Sequence, residues 1–282
     1  MNPVLFHSSM GDVTSQHMAS ALQKVGAGDC DVLYIHTDMN FGLPALKRKE
    51  LLAELLNSIE SLGVRTLVFP TFTFSFCNNE VFDVQNSPTP MGALNEYVRK
   101  SNKGVRSKDP LLSVYVLGDT LNLIDNLSIY SIGENSNYDR LHTCGKCVKF
   151  LFFGADMRQC FTYKHYMEAV MEVPYRYNRE FYGTIIDNGI EYKNKKAILY
   201  SRYLNCELNP VPVFYDEMNK KNMLAVENIG NSKLYCFYEK DAYKIIYDLL
   251  KNNPCTFING EFDESKKDMR YNINHERIVS VK

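Results

Sequence analysis

The chain has 282 residues, a formal charge of −1, 45% hydrophobic residues and 12% aromatic residues, supplied by Tyr and Phe without Trp. That length can bury one large core, and hydrophobic residues spread along the whole chain argue against a long disordered tail. Near-neutral charge gives no general attraction to nucleic acid or to an anionic membrane, so neither is expected as a partner, and any phosphate binding has to be local.

The opening "MNPVLFHSSMGDV" lacks the charged start and apolar stretch of a signal peptide, and no apolar run reaches the length of a membrane span, so a cytoplasmic location is expected. A helix is expected from about 14 to 25. "CDVLYIHT" (30–37), "TLVFPTFTF" (66–74), "LLSVYVLG" (111–118) and "VKFLFFG" (148–154) read as short buried strands bounded by turn residues. Between the first two, "ALKRKELLAELLNSIESLG" carries apolar residues at helical spacing and ends on Gly63. Strand, helix, strand is the unit of a sheet with parallel pairs covered by helices. "MGALNEYVRKS" (91–101) and "NYDRLHTCG" (137–145) add further helices.

Beyond Pro174 the texture becomes Tyr-rich and alternating, as in "AILYSRYLN" and "PVPVFYDEM", before a closing helix, "KDAYKIIYDLLKNNP". One domain over 1–282 is expected, with 175–282 as a C-terminal elaboration completing the sheet. The eight cysteines are dispersed in apolar segments, which suits reduced thiols. "CGKC" at 144–147 reads as a turn before a strand, since no second Cys or His pair stands at metal-site spacing.

Polar residues cluster at the ends of the apolar strands, where α/β proteins place their sites. In "FTYKHYMEAVMEVPY" (161–175), Glu168 and Glu172 follow His165 by three and seven residues, so all three share a helix face. A carboxylate on one imidazole nitrogen fixes the tautomer and makes the other a base; a helix histidine with acidic neighbours gives the same spacing. His36, Thr37 and Asp38 end a strand, where they either line a ligand channel or form a turn. Lys47, Arg48 and Lys49 crowd the first turn of a helix, an unfavourable place for cations unless an anion or full solvation compensates. "TFTFSF" alternates hydroxyl and Phe, offering Thr71 and Thr73 on one face.

Taken together, "YIHTDM", "LVFPTFTFSF", "SPTPMGALNEYVRKSNKGVRSKDPLLSVYVLG", "GENSNYDRLHTCGKCVKFLFFGA" and "CFTYKHYMEA" resemble the aminoglycoside 3-N-acetyltransferase family in order and spacing, from about His7 to about residue 257. The resemblance implies a three-layer α/β sandwich with a mixed, partly parallel sheet. It implies acyl transfer from acyl-CoA, either acetyl-CoA or a short-chain acyl-CoA, to the amino group of an amino sugar, without a metal. The histidine of the Thr-x-x-His-x-x-Glu block is the base, which places the role on His165, within Thr162, His165 and Glu168.

In the mechanism expected from it, His165 deprotonates the amine, which attacks the thioester directly. Glu168 orients His165, Thr71 assists catalysis, and backbone amides near "HTD" or "PTFT" hold the oxyanion. His36, Thr37, Asp38, Lys47, Arg48 and Ser107 bind the donor, while Thr73, Asp109 and Glu172 bind the acceptor. A homodimer is left open. The chain departs from the family in having "FGLPALKRK" where a Gly-Gly pair is usual, and Asp109 where a histidine often precedes the proline. With the near-neutral charge, these departures point to a nucleotide-linked amino sugar. The alternatives are an aminoglycoside acceptor and a non-catalytic protein binding a nucleotide or coenzyme A.

Overall fold

The computed structural model describes residues 2–203, 206–208, 212–265, 271–274 and 277–280. The first half comprises β1 (Val4–Ser8), β2 (Gly11–Thr14), α1 (Ser15–Lys24), β3 (Val32–Thr37), β4 (Leu43–Pro44), α2 (Arg48–Glu60), β5 (Thr66–Pro70), β6 (Val81–Asp83), α3 (Ala93–Arg99), β7 (Val105–Arg106), β8 (Val114–Gly118) and α4 (Asn137–Thr143). The second comprises β9 (Val148–Phe153), α5 (Met157–Cys160), α6 (Tyr163–Val170), β10 (Arg176–Asp187), β11 (Ile190–Arg202), β12 (Glu207–Leu208), α7 (Pro212–Lys220), β13 (Ala225–Ile229), β14 (Ser232–Tyr238) and α8 (Glu239–Asn252).

β3, β5 and β9 are buried almost throughout, which is why they read as continuous apolar runs. They form the parallel centre of a seven-stranded sheet in the order β13, β14, β9, β3, β5, β8, β7, whose outer strands pair antiparallel. Alternate residues face opposite cores. Tyr34, Val68, Phe150 and Phe152 meet Tyr138 of α4, Met167 of α6 and Ile246 of α8. Leu33, Ile35, Phe69 and Leu151 meet Leu22 of α1, Leu55 of α2 and Val98 of α3. The result is a three-layer sandwich with a mixed sheet. A fully buried side chain such as Leu55 contributes about 1.5–3 kcal/mol to it.

Three expectations are corrected. The strand expected over 66–74 ends at Pro70: Thr71 N and Thr73 N still donate to Ser113 O (2.8 Å) and Leu111 O (3.2 Å), but outside the regular ladder. "PVPVFYDEM" is helical from Pro212, its Phe214 and Met218 being buried one turn apart, so its apolar spacing is a helical period and not an alternation. The region after Pro174 does not simply complete one sheet. β13 and β14 join the main sheet, whereas β10 and β11 form a long hairpin paired with β6 in a second sheet. Of the Tyr-rich stretch, Leu204 and Asn205 lie outside the described residues.

At the cleft end of β9, Gly154 has φ +75, and a Cβ there would stand 2.3 Å from Asp38 O, so the turn requires glycine. "CGKC" is a turn docked on β3, with Cys147 N donating to Asp31 Oδ2 and Cys147 O accepting from Val32 N. Among the described residues all eight cysteines are free, no His, Cys, Asp and Glu side chains group as metal ligands, and no helix is long and apolar enough to cross a membrane.

Candidate active site

α6 follows a short connection from the end of β9 and presents His165 towards the carboxyl ends of β3 and β5. Glu168, one turn on and fully buried, places Oε2 2.6 Å from His165 Nδ1. Its other oxygen, Oε1, accepts from Tyr175 Oη at 2.7 Å, and Arg176 Nε lies 2.8 Å from Oε2. Burial opposes the charge of Glu168, but Arg176, His165 and Lys164 outweigh it and hold the carboxyl well below the usual carboxylate range. With its proton on Nδ1 the ring donates to this charged oxygen, while Arg176 Nη2 stands 2.7 Å from the same nitrogen. His165 Nε2 makes no hydrogen bond among the described residues, and the side chain is about a quarter exposed, at 26%. Burial and Arg176 lower the imidazole to about 4 against the pull of Glu168, so the ring is neutral at ordinary pH.

His165 opens on a cleft of about 420 Å³. Its floor is His36, Thr37 and Pro70 at the strand ends. Phe72, Phe74, Met91, Leu112, Ile132 and Phe181 make apolar walls, Cys160 and Thr162 lead into α6, and the β10–β11 hairpin brings Arg176, Arg179, Tyr200 and Arg202. No carboxylate lines it among the described residues. His36, stacked on Phe152 with centroids 4.7 Å apart, has an unpartnered buried Nε2, and burial lowers its imidazole to about 3. Thr37 Oγ1 donates to Asn95 Oδ1 at 2.6 Å.

The cleft thus brings together His165, Glu168, His36 and Thr37 of the expected residues. Others are placed elsewhere. Thr71 is turned away, its Oγ1 accepting from Arg106 Nε at 3.2 Å and its carbonyl from Arg106 Nη2 at 2.6 Å, because the buried guanidinium takes its acceptors from this strand end. Thr73 Oγ1 donates to Pro110 O, and Ser107 Oγ accepts from Val114 N. Over 71–74 the alternation of "TFTFSF" holds, with Phe72 and Phe74 on the cleft and the hydroxyls of Thr71 and Thr73 bracing the frame, before the chain enters a 3-10 turn at Ser75–Asn78. Asp109 is buried, its Oδ1 accepting from Leu111 N, Leu112 N and Ser131 Oγ, and it borders a separate cavity of about 590 Å³.

Asp38 is exposed, capping its own turn through Met39 N and Asn40 Nδ2. Lys47, Arg48 and Lys49 are exposed at the start of α2 and do not line the cleft. Glu172 is exposed at φ +49, where Val173 N donates to Glu168 O and closes the helix, so it leaves the face of His165. Of the amides near "HTD" and "PTFT", those of Asp38, Thr71 and Thr73 already donate to Phe153, Ser113 and Leu111 carbonyls, so they do not form an oxyanion hole. Arg176 was missed by sequence reasoning, because eleven residues of chain separate it from His165 and only the return of the chain into β10 joins them.

The fold is shared with solved structures. The YokD protein from Bacillus subtilis matches with a TM-score of 0.70 at 16% identity, over 85% of this chain and 93% of that one. An AAC-IIIb binary complex with CoASH matches at 0.69 and 14% identity, over 88% and 99%. AAC-VIa bound to sisomicin matches at 0.69 and 16%, over 84% and 97%. No curated protein matches the sequence significantly. The family model described as aminoglycoside 3-N-acetyltransferase matches residues 34–251, across β3, β5, β9 and α6 and on into α8. This chain therefore belongs to the aminoglycoside 3-N-acetyltransferase family and is an acetyltransferase-type enzyme.

Proposed function

We propose that the enzyme transfers an acetyl group from acetyl-CoA to an amino group of an amino sugar, with His165 as general base and an aminoglycoside as the acceptor class that family membership favours. The observation that carries this reading is the buried Glu168 on His165 Nδ1, which leaves Nε2 bare towards the cleft. The apolar walls suit the pantetheine arm of coenzyme A, and the arginines of the hairpin can meet its phosphates.

With its imidazole lowered to about 4, His165 takes the proton after attack rather than before it, a different order of steps from that expected from sequence. The amine enters unprotonated and its nitrogen forms a bond to the thioester carbonyl carbon. As that nitrogen gains positive charge its N–H becomes acidic, and Nε2 accepts the proton. The resulting imidazolium is stabilised by Glu168, the tetrahedral intermediate collapses, and the C–S bond breaks with the thiolate of coenzyme A leaving. Direct transfer needs no acyl-enzyme.

A second acceptor reading rests on the charge of the cleft. Arg179 and Arg202 of the hairpin line the cleft, and their charge favours an acceptor bearing an anionic group, such as a nucleotide-linked amino sugar, over a polycation. The test measures release of coenzyme A from acetyl-CoA with gentamicin, sisomicin, a UDP- or dTDP-linked amino sugar and the free amino sugar. Turnover with gentamicin or sisomicin supports the first reading, and turnover confined to the nucleotide-linked sugar supports the second. Release independent of every amine removes both.

A further inference from the structure

We infer that Arg176 is a positioning residue for the acyl transfer: it decides on which His165 nitrogen the proton sits and keeps the ring uncharged. The inference rests on the reading of His165 as the base. Arg176 opens β10 and spreads its guanidinium against α6. Nη1 donates to Tyr200 O at 2.9 Å, Nε lies 2.8 Å from Glu168 Oε2, and Nη2 lies 2.7 Å from His165 Nδ1. Glu168 Oε2 is 2.6 Å from that same Nδ1.

One ring nitrogen cannot serve both neighbours. It donates to the carboxylate when it carries the proton and accepts from the guanidinium when it does not. Only the first arrangement leaves a lone pair on Nε2. Arg176 acts on this choice in two ways. Through the ion pair of its guanidinium with Oε2, in which Nε makes no directed hydrogen bond, it keeps the carboxylate charged beside Nδ1, which favours the productive tautomer. Through the charge on Nη2 it opposes a second ring proton, so His165 remains a base in acid.

The other charged and titratable groups around the ring are Lys164 and Glu168 on α6, Tyr175 ahead of β10, Arg179 on β10, Tyr200 and Arg202 on β11, Cys160 on α5 and His36 across the floor. Of these, Glu168 is in hydrogen-bonding reach of Nδ1, as is Arg176 itself.

The test follows the His165 ring nitrogens by NMR in the ¹⁵N-labelled full chain, assigned by difference with His165→Asn, alongside the pH profile of kcat/KM. In the wild type the ring is expected to be neutral, with its proton on Nδ1, from about pH 5 to about pH 8. In Arg176→Gln the titration midpoint is expected to rise by about one unit or more, with the acid limb of kcat/KM rising by the same amount. A folded Arg176→Gln with an unmoved midpoint and limb overturns the proposal, as does a wild-type ring protonated on Nε2. Should Arg176→Gln not fold, Arg176→Lys asks the same question. One ammonium cannot contact both Glu168 and His165 as the guanidinium fork does, so the midpoint rises by less, and a midpoint identical to wild type overturns the proposal. The titration needs no turnover, so its failure is distinct from that of the base assignment, which an active His165→Asn would remove.

Discussion

Glu168 Oε2 stands 2.6 Å from His165 Nδ1, one helical turn away and with no solvent exposure of its own. The pair is oriented from both sides, by Tyr175 and by Arg176, and the ring has no freedom to turn Nε2 from the cleft without breaking a buried charged contact. His165→Asn keeps a hydrogen-bonding side chain but cannot take a proton, so kcat is expected to fall by about 10² to 10⁴ with the melting temperature little changed. Glu168→Gln retains the geometry and loses the charge that supports the imidazolium, so its kcat falls by less. Near-normal turnover of His165→Asn across pH would reject the assignment.

Thiol chemistry is not expected to contribute. Cys160 lines the cleft, but burial pushes its thiol up to about 12, so almost no thiolate exists at neutral pH. Cys144 Sγ donates to Leu141 O, and neither Cys144 nor Cys147 lines the cleft. Cys160→Ser and the double Cys144→Ser, Cys147→Ser variant should stay active, and initial rates should follow a sequential pattern. Capture of an acyl-cysteine, or ping-pong kinetics, would contradict direct transfer.

Thr71 belongs to the frame. Thr71→Val leaves Arg106 Nε with only Ser113 Oγ and removes the Thr71 hydroxyl from Ser113, for an expected loss of about 1–3 kcal/mol in stability. Activity per folded molecule is expected to match the wild type. Denaturant melts and kcat on the same samples separate the outcomes: an unchanged stability with a collapsed kcat would return Thr71 to catalysis.

His36 makes the fold acid-sensitive. Its imidazole takes a proton near 6.5 when unfolded and, because of burial, only at about 3 when folded. Between those values the unfolded chain binds more protons, so the stability His36 contributes is complete above 6.5 and is lost as pH falls through that window, by up to about 1.4 kcal/mol per pH unit. His165, lowered to about 4, adds to the slope in the same direction. His36→Phe should flatten the dependence of melting temperature on pH between about 6.5 and about 4.5. Parallel curves for variant and wild type would exclude this role.

The basic cluster of α2 remains a proposal for the donor. If Lys47, Arg48 and Lys49 meet phosphates of coenzyme A at the helix start, changing all of them to Ala raises the KM for acetyl-CoA, weakens its salt dependence and spares the acceptor KM. An unchanged donor KM assigns these exposed side chains to solvent.

What local sequence determined is whatever depends on neighbours along the chain. The central strands were legible because both faces of β3, β5 and β9 are buried, which forces unbroken apolar runs. His165 and Glu168 were legible because three residues on a helix is one contact distance. The choice between Glu168 and Glu172 was not, since it turned on where α6 stops, and a left-handed Glu172 closes the helix one turn early. Nor did the alternation of "TFTFSF" say which face meets the ligand. That depended on Arg106, thirty-five residues beyond Thr71, whose buried guanidinium holds the Thr71 hydroxyl, and on Pro110, whose carbonyl holds that of Thr73, leaving Phe72 and Phe74 to the cleft. Arg176 likewise reaches His165 only because the chain turns back into β10. Periodicity records which residues are buried, whereas the partner of a buried charge is chosen by desolvation in three dimensions, and only the tertiary structure holds that information.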